Sequence, residues 1–547
     1  MPGNFSRIAE RLRDRIGEQV LAGAPQWLAA ARPAAGANAG SLLIGTLLGR
    51  LPEEDVTALA QGILSEQNRE GSWSSLPGGE GDLSLTLEVV EALSTCGHLC
   101  AREALDKAVH WLEEHRHAER LNEETLILLS AITELVPGRL RRMAMPTLRK
   151  FMLRRAQKKT RLHGLETMPL ALSVLSKDRA SARGEYRLIL ERQLPDGSWE
   201  GSSRTTVFAL AALRHSSLPL DDPAMDRGWR FLRSLQVWDG ETLVQSSCDA
   251  SNLLHATALR TLLVTSADEE IAAAGTLSLL HQSRASGGCA LGGMQPTDLM
   301  TTSLVLDALS FAGDVPVETL WARRRAVLLL LRSQNSDGGW PLYSHTPEHR
   351  FPSHVDVTSA ALQALAFSGL QEKGEEDAIL RGVKYLQSKQ NRNGLWNGDL
   401  NGSAIFSTSR AIEALFAAAE ERAGVSVVKA VVALVRCQHA DGGWSDRMDN
   451  GSTSEHTAWA LRALSGAPGV AHEVVAKGKH YLEDHLDSDE LVWGTHVATW
   501  PLPLSAQPTA VPDLVTIWGL EALAPAGIFS RTRSRGARSR SIFDRSR

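Results

Sequence analysis

Apolar residues recur along this chain at helical spacing, in paired segments separated by short polar turns. The second member of each pair is Ala/Leu-rich and apolar nearly all round, as in Thr205 to Leu213, Thr358 to Leu365, Ser407 to Leu415 and Thr457 to Leu464. Such a helix belongs inside a core. The first member, as in Ala378 to Leu386 or Val427 to Cys437, keeps a polar face and belongs outside. The Ser or Thr that opens each inner segment reads as an N-cap, whose side-chain oxygen accepts from an early helical amide. Runs of β-branched residues are sparse, so the pattern predicts an all-α chain.

The turns repeat one grammar. Gln67-Asn-Arg-Glu-Gly-Ser-Trp73, Gln193-Leu-Pro-Asp-Gly-Ser-Trp199, Gln334-Asn-Ser-Asp-Gly-Gly-Trp340, Gln390-Asn-Arg-Asn-Gly-Leu-Trp396 and Gln438-His-Ala-Asp-Gly-Gly-Trp444 each place Trp six residues after Gln. Four of the five carry Asp-Gly or Asn-Gly at the centre, which is turn chemistry, since Gly supplies a positive φ and Asp or Asn bonds its own backbone. A damaged sixth copy runs from Gln282 to Gly287-Gly288-Cys289, with Cys where Trp stands elsewhere. Outer helix, turn and inner helix, repeated roughly every 50 residues, close into an α/α barrel. The Trp residues are expected to staple each turn to an outer helix, and the Gln residues to cap backbone groups between repeats.

Composition narrows the picture. The chain has 547 residues, 43% hydrophobic and 22% charged, with a net charge of −5, so its body carries no nucleic-acid signature. No run of about 18 apolar residues is present, which argues against a membrane span, and Met1 to Glu18 is charged rather than signal-like. Five scattered cysteines (Cys96, Cys100, Cys248, Cys289, Cys437) fit a reducing cytoplasm better than a disulfide framework. Cys96-Gly-His98-Leu-Cys100 has no second ligand pair and reads as the end of an apolar run rather than a zinc site. Asp221-Asp222-Pro-Ala-Met-Asp226 reads as a helix start, and Asp449-Asn450 as part of the last repeat, not as magnesium motifs. Ser530 to Arg547 holds seven Arg among Ser and Gly and reads as a solvated tail.

With five Gln/Trp turns, the sequence resembles the class II terpene cyclase superfamily, the squalene-hopene cyclases and bacterial copalyl- and drimenyl-diphosphate-type cyclases, over roughly residues 50 to 525. The resemblance implies two α-barrels, a γ-type one inserted into a β-type one, with an apolar chamber that folds a polyprene chain. Expected boundaries are 1–35 for an N-terminal segment on the second barrel, 36–255 for the first barrel, 256–529 for the second and 530–547 for the tail. The substrate implied is a C15 to C20 prenyl diphosphate cyclised by a carbocation route. The low aromatic content (5%) favours this over squalene. Magnesium is left open as a companion of the diphosphate, and so is a homodimer.

The family protonates its substrate with the middle Asp of an Asp-x-Asp-Asp motif at the start of an inner helix. Here the corresponding stretch is Asp298-Leu-Met300-Thr301, so Met300 falls on the acid, and a thioether donates no proton. Asp356, in His354-Val-Asp356-Val-Thr358, resembles a second family segment whose Asp supports the acid. Asp356 or Asp298 is therefore the expected acid, with His354 beside Asp356, or else both are N-caps. Arg410, Arg350 and Arg204, near the turns that open inner helices, are the expected diphosphate ligands. Met300, Thr301, Phe351, Phe406 and Trp459 are expected to line the substrate site. Two alternatives stay open: a synthase that ionises the diphosphate, and a degenerate prenyl-binding partner.

Overall fold

The computed structural model describes residues 2–22, 32–33, 35–74, 81–97, 101–115, 125, 127–129, 131, 167–246, 250–265, 268–292, 297–312, 317–344, 351–370, 372–398, 400, 402–418, 424–446, 451–465, 467, 469–487, 491–493, 499–500, 509–510 and 512–523. Arg350, Cys100, His98, Cys248, Asp449, Asn450 and the Arg-rich tail lie outside them. The chain divides into two compact units, one of residues 1–30, 250–498 and 511–547, the other of 31–249 and 499–510.

In chain order the described helices are α1 (Pro2–Ala22), α2 (Ala35–Leu48), α3 (Glu53–Ser65), α4 (Leu83–Cys96), α5 (Arg102–Glu114), α6 (Thr167–Leu175), α7 (Arg187–Leu190), α8 (Ser203–His215), α9 (Pro223–Ser234), α10 (Ser251–Val264), α11 (Glu269–Gln282), α12 (Leu299–Phe311), α13 (Val317–Ser333), α14 (Val355–Ser368), α15 (Glu375–Lys389), α16 (Ala404–Ala418), α17 (Gly424–Arg436), α18 (Ser454–Leu464), α19 (His472–Asp484) and α20 (Pro512–Leu523).

In the larger unit α10, α12, α14, α16, α18 and α20 form an inner ring, each packed on the next and the last on the first. Helices α11, α13, α15, α17 and α19 lie outside them, and α1 covers α20, α10 and α11. The inner helices are buried almost throughout, while the outer ones bury one stripe, as the two hydrophobic patterns require. This is the all-α, α/α-barrel architecture expected. In the smaller unit α2 packs on α4 and α8, α8 on α6, and α3, α5 and α9 lie outside. Its strands are the hairpin Gln236–Asp239 with Thr242–Gln245 and a three-stranded antiparallel sheet of Arg32–Pro33, Thr509–Ala510 and Thr499–Trp500.

The turns explain the repeat. In all five copies the Trp indole N–H donates to the carbonyl ten residues earlier on the preceding helix, at 2.7–2.8 Å. Gln Nε2 donates to the Gly carbonyl of its own turn and to a carbonyl at the start of the next outer helix, as Gln334 does to Gly338 and Ala378 at 2.8 Å each. The turn Gly at positive φ (Gly338, φ 89°) passes so close to the Arg381 carbonyl that a Cβ there would sit 2.5 Å away.

Two expectations need correction. Thr205, Thr358, Ser407 and Thr457, read as N-caps, all lie inside their helices, because these begin earlier, at Ser203, Val355, Ala404 and Ser454. The hydroxyls of Thr358 and Thr457 instead accept the amide of the stapling Trp, at 2.9 Å from Trp340 and 3.1 Å from Trp444. The damaged repeat keeps this anchor, since the Cys289 amide donates to Thr302 Oγ1 at 3.0 Å. Its register shows Ser283, not Gln282, in the Gln position. The Arg284 amide bonds the Gly288 carbonyl as the Asn335 amide bonds Gly339.

Candidate active site

Two neighbouring inner helices of the larger unit, α12 and α14, start from short antiparallel pairings that fix their first turns. Cys289–Ala290 pairs with Thr297–Asp298, Asp298 also bridges Tyr343, and Trp340–Pro341 pairs with Ser353–His354. These pairings tie the N-terminus of α12, carrying Asp298, Met300 and Thr301, to that of the neighbouring α14, carrying His354 and Asp356.

Asp298 is the N-cap of α12, with extended backbone, and its Oδ1 accepts the Thr301 amide at 2.6 Å. Its Oδ2 and the Thr301 hydroxyl are buried without a hydrogen-bond partner among the described residues. Burial pushes the Asp298 carboxyl up to about 7, against the pull of the Thr301 amide. Met300 is buried in the same turn.

Asp356 is fully buried but is not a cap; it is the second residue of α14. Its Oδ1 accepts from the Ser407 hydroxyl of α16 and its Oδ2 from the Leu400 amide at 3.3 Å. Donors on both oxygens favour the carboxylate. The N-cap of α14 is His354, with no side-chain cap bond. The reading of both aspartates as N-caps thus holds for Asp298 alone, and the two buried carboxyls differ in their partners: Asp298 keeps one oxygen without a partner among the described residues, while both oxygens of Asp356 accept hydrogen bonds.

Aromatic rings cluster in the same unit. Phe406 meets Trp459 edge-on at 4.8 Å, and Trp459 meets Trp518 at 5.2 Å and His456 at 5.2 Å. Phe406, Trp459 and Trp518 are buried. Phe351 packs against Tyr343 at 5.9 Å. Trp518 and His456 are not among the sequence candidates; Trp518 sits in the last described helix, beyond the final Gln/Trp turn, and His456 follows the N-cap of α18 by three residues.

Two of the three expected arginines, Arg410 and Arg204, are already paired with carboxylates. Arg410 is buried and pairs with Glu413 at 3.0 Å, and burial lowers its guanidinium's basicity. Arg204, in the smaller unit, pairs with Glu88 at 3.1 Å and lies 5.0 Å over the Phe208 ring. A guanidinium already neutralised by a carboxylate in a dry site is not a free diphosphate ligand.

Arg410 belongs to a layer that crosses the barrel. Arg260 of α10 bonds Asp307 of α12 at 2.9 Å and Glu521 of α20; Gln363 of α14 donates to Asp307 at 3.0 Å. Arg462 of α18 reaches Glu413 of α16 at 3.1 Å and Glu521 at 2.7 Å. Every inner helix thus contributes a buried polar residue, and three arginines (Arg260, Arg410, Arg462) face three carboxylates (Asp307, Glu413, Glu521). The signal in the sequence is a spacing: Asp307, Gln363, Glu413 and Arg462 each follow by five residues the Thr that anchors a turn.

Among the described residues no three His, Cys, Asp or Glu side chains come together to hold a metal. Asp222 caps α9, and Asp226 pairs with Arg50 and Arg230. Among the described residues no helix is long and apolar enough to cross a membrane.

Comparison with known proteins places this geometry. Residues 22–135 match the squalene-hopene cyclase N-terminal domain and 341–501 the squalene-hopene cyclase C-terminal domain. Asp356 lies inside the second match; Asp298 and Met300 lie between the two. The chain is 24% identical to the squalene–hopene cyclase of Alicyclobacillus acidocaldarius over 81% of this chain and 85% of that protein. It is 31% identical to a probable squalene–hopene cyclase of Sinorhizobium fredii, over 34% of this chain and 33% of that one. It is 26% identical to a drimenyl diphosphate synthase of Streptomyces showdoensis, over 52% of each. The latter two matches thus span a third and a half of the relatives' length. Among solved structures, ent-copalyl diphosphate synthase from Streptomyces platensis superposes with a TM-score of 0.64 at 19% identity, covering 95% of this chain and all of that one, a likeness of fold.

Proposed function

We propose that this chain, which belongs to the class II terpene cyclase superfamily, cyclises a C15 to C20 prenyl diphosphate by proton-initiated carbocation chemistry, with Asp298 as the acid. The observation that carries this reading is the contrast between the two carboxyls. Asp298 has a buried, unpartnered Oδ2 and is pushed up to about 7, so a neutral acid is available at neutral pH. Asp356 has donors on both oxygens and suits a fixed carboxylate.

The step is simple. The Asp298 Oδ2–H bond breaks as a C–H bond forms at the terminal alkene of the prenyl chain, and the alkene's electron pair moves to that bond. The carboxylate left behind is stabilised by the Thr301 amide and the N-terminus of α12. The same helix end that opposes protonation at rest thus helps the proton depart. In this reading the cation is stabilised by the Phe406, Trp459 and Trp518 rings, which cluster in the same barrel, and by the polarisable Met300 thioether. With Arg204 and Arg410 neutralised, Arg350 is the one of the three expected arginines left to hold the diphosphate.

The test is incubation of the purified chain with C15 and C20 prenyl diphosphates, with and without magnesium, followed by mass spectrometry. A cyclic product that retains the diphosphate is expected, and Asp298→Asn should cut turnover by roughly 10²-fold or more. Undiminished turnover in Asp298→Asn would remove Asp298 from the role of acid. Release of inorganic pyrophosphate with a magnesium requirement would assign the ionising reaction instead.

A further inference from the structure

A proton taken up at the start of such a cyclisation has to be given up at its end, or the cation is captured by water. We infer that Thr453, His456 and Asp446 form the relay that removes it, an inference that rests on the cyclisation proposed above.

The three side chains are joined in line. Thr453 Oγ1 lies 2.6 Å from His456 Nδ1, and His456 Nε2 lies 3.0 Å from Asp446 Oδ2. Asp446 also accepts from the Ser403 hydroxyl at 3.1 Å and the Ile405 amide at 3.0 Å. Burial alone would raise its carboxyl, but the His456 hydrogen bond, with these donors, holds it below the usual carboxylate range. In the neutral ring, a carboxylate facing Nε2 sets the hydrogen on Nε2, which leaves Nδ1 as the acceptor and directs the Thr453 hydroxyl hydrogen to it.

The relay stands on rigid ground. Thr453 pairs with the stapling Trp444, its amide donating to the Trp444 carbonyl at 3.0 Å, and Asp446 follows that Trp by two residues. Thr453 is also the N-cap of α18, accepting the His456 amide at 3.2 Å. Capping alone needs only this last bond; it does not require the His456 ring to reach a carboxylate outside the helix. The ring's other neighbour is Trp459, which stands between Phe406 and Trp518. The imidazole at the middle of the relay thus adjoins the aromatic cluster, one hydrogen bond from Thr453. At the far end, the Asp446 side chain keeps 30% of its surface exposed, so a proton can pass on to solvent.

The step balances. A C–H bond beside the cation breaks, and its electron pair becomes the product alkene. The proton goes to Thr453 Oγ1, which passes its own hydrogen to His456 Nδ1, and the imidazolium is stabilised by the Asp446 carboxylate. Thr453 is the catalytic contact; His456 and Asp446 are positioning residues behind it. One proton given by Asp298 and one removed here make the whole an isomerisation.

The experiment compares alkene with alcohol products by mass spectrometry for the full chain, His456→Gln and Asp446→Asn. Glutamine keeps a donor for Asp446 without a basic nitrogen, and asparagine keeps the shape of the carboxylate without its charge. In both, water capture should overtake deprotonation, lowering the alkene-to-alcohol ratio by roughly 10²-fold while substrate consumption falls less. An unchanged ratio in both variants overturns the relay, as does loss of all turnover in folded, substrate-binding variants, because a terminal base is not needed for the first step. A wild-type chain that makes no cyclic product refutes the cyclisation itself, a result distinct from either.

Discussion

Replacing Glu521 by Gln removes one negative charge from the polar layer of the larger barrel and leaves Arg260 and Arg462 without it. Glu521 accepts from Arg260 and from the Thr261 hydroxyl at 2.8 Å and forms an ion pair with Arg462 at 2.7 Å, and every one of these groups is at least nine-tenths buried. Burial would raise the Glu521 carboxyl, but the two guanidiniums outweigh it and hold it below the ordinary glutamate range. A folded-state value below the unfolded one means the pairing stabilises the fold at neutral pH and is lost as pH falls through the folded value. Breaking a buried ion pair by removing one partner costs about 3–5 kcal/mol, since the remaining charge stays desolvated. For a unit of this size that is a fall in Tm of roughly 6–20 °C, at about 2–4 °C per kcal/mol. Urea unfolding followed by tryptophan fluorescence measures the loss, and hydrogen exchange in α20 localises it. Added salt should leave the difference nearly unchanged, because buried pairs are poorly screened. A loss below about 1 kcal/mol would refute the claim that the layer is a dry, mutually neutralising network.

The remaining predictions concern the acid and the staples. The Asp298 carboxyl is pushed up to about 7, above its unfolded value, so its contribution to stability is full below about pH 4 and is lost as pH rises through about 7; denaturation series across pH should show this slope for the native chain and not for Asp298→Asn. On the same ground, turnover with a prenyl diphosphate should fall about tenfold per pH unit above about 7. Trp340→Phe strands the Leu330 carbonyl, which accepts the indole N–H at 2.8 Å in the buried core, and should cost about 1–3 kcal/mol in urea unfolding. Gly382→Ala puts a Cβ 2.8 Å from the Trp340 ring, so overpacking of about 1–3 kcal/mol should exceed the helix gain of about 1 kcal/mol, and a stabilised variant would contradict the fit of indole against helix.

The barrel was legible in the sequence because its staples are chemical and local. A Gln, a positive-φ Gly and a Trp at fixed spacing fulfil all their bonds within one turn and the helices beside it. Where the same geometry is built from other residues, the pattern vanishes. Trp493 bonds the Leu482 carbonyl at 2.7 Å, eleven residues back rather than ten; the Leu491 amide bonds the Asp487 carbonyl, which puts Leu486 in the Gln position, and Leu491, at φ 54°, replaces the turn glycine. The charged layer was hidden for the opposite reason, since its bonds run between helices far apart in sequence. Arg410 therefore looked like a lone cation on an apolar helix when Glu413 and the neighbouring Arg462 already share its charge field.

The same register bears on the acid. Met300 and Asp356 each stand two residues before the Thr that anchors their turn, Thr302 and Thr358, so they hold equivalent places on adjacent inner helices. Position alone would move the acid's role one repeat along, to Asp356. Environment moves it back, since Asp356 is bound on both oxygens while Asp298, one helical turn before its own anchoring Thr302, keeps one oxygen bare. Met300→Asp separates the two arguments. It sets a second carboxyl within two residues of Asp298, and one of two close carboxyls must hold its proton more tightly. A rate that rises in Met300→Asp and then survives Asp298→Asn would make position decisive. A rate still lost with Asp298 would leave the desolvated cap as the proton's source.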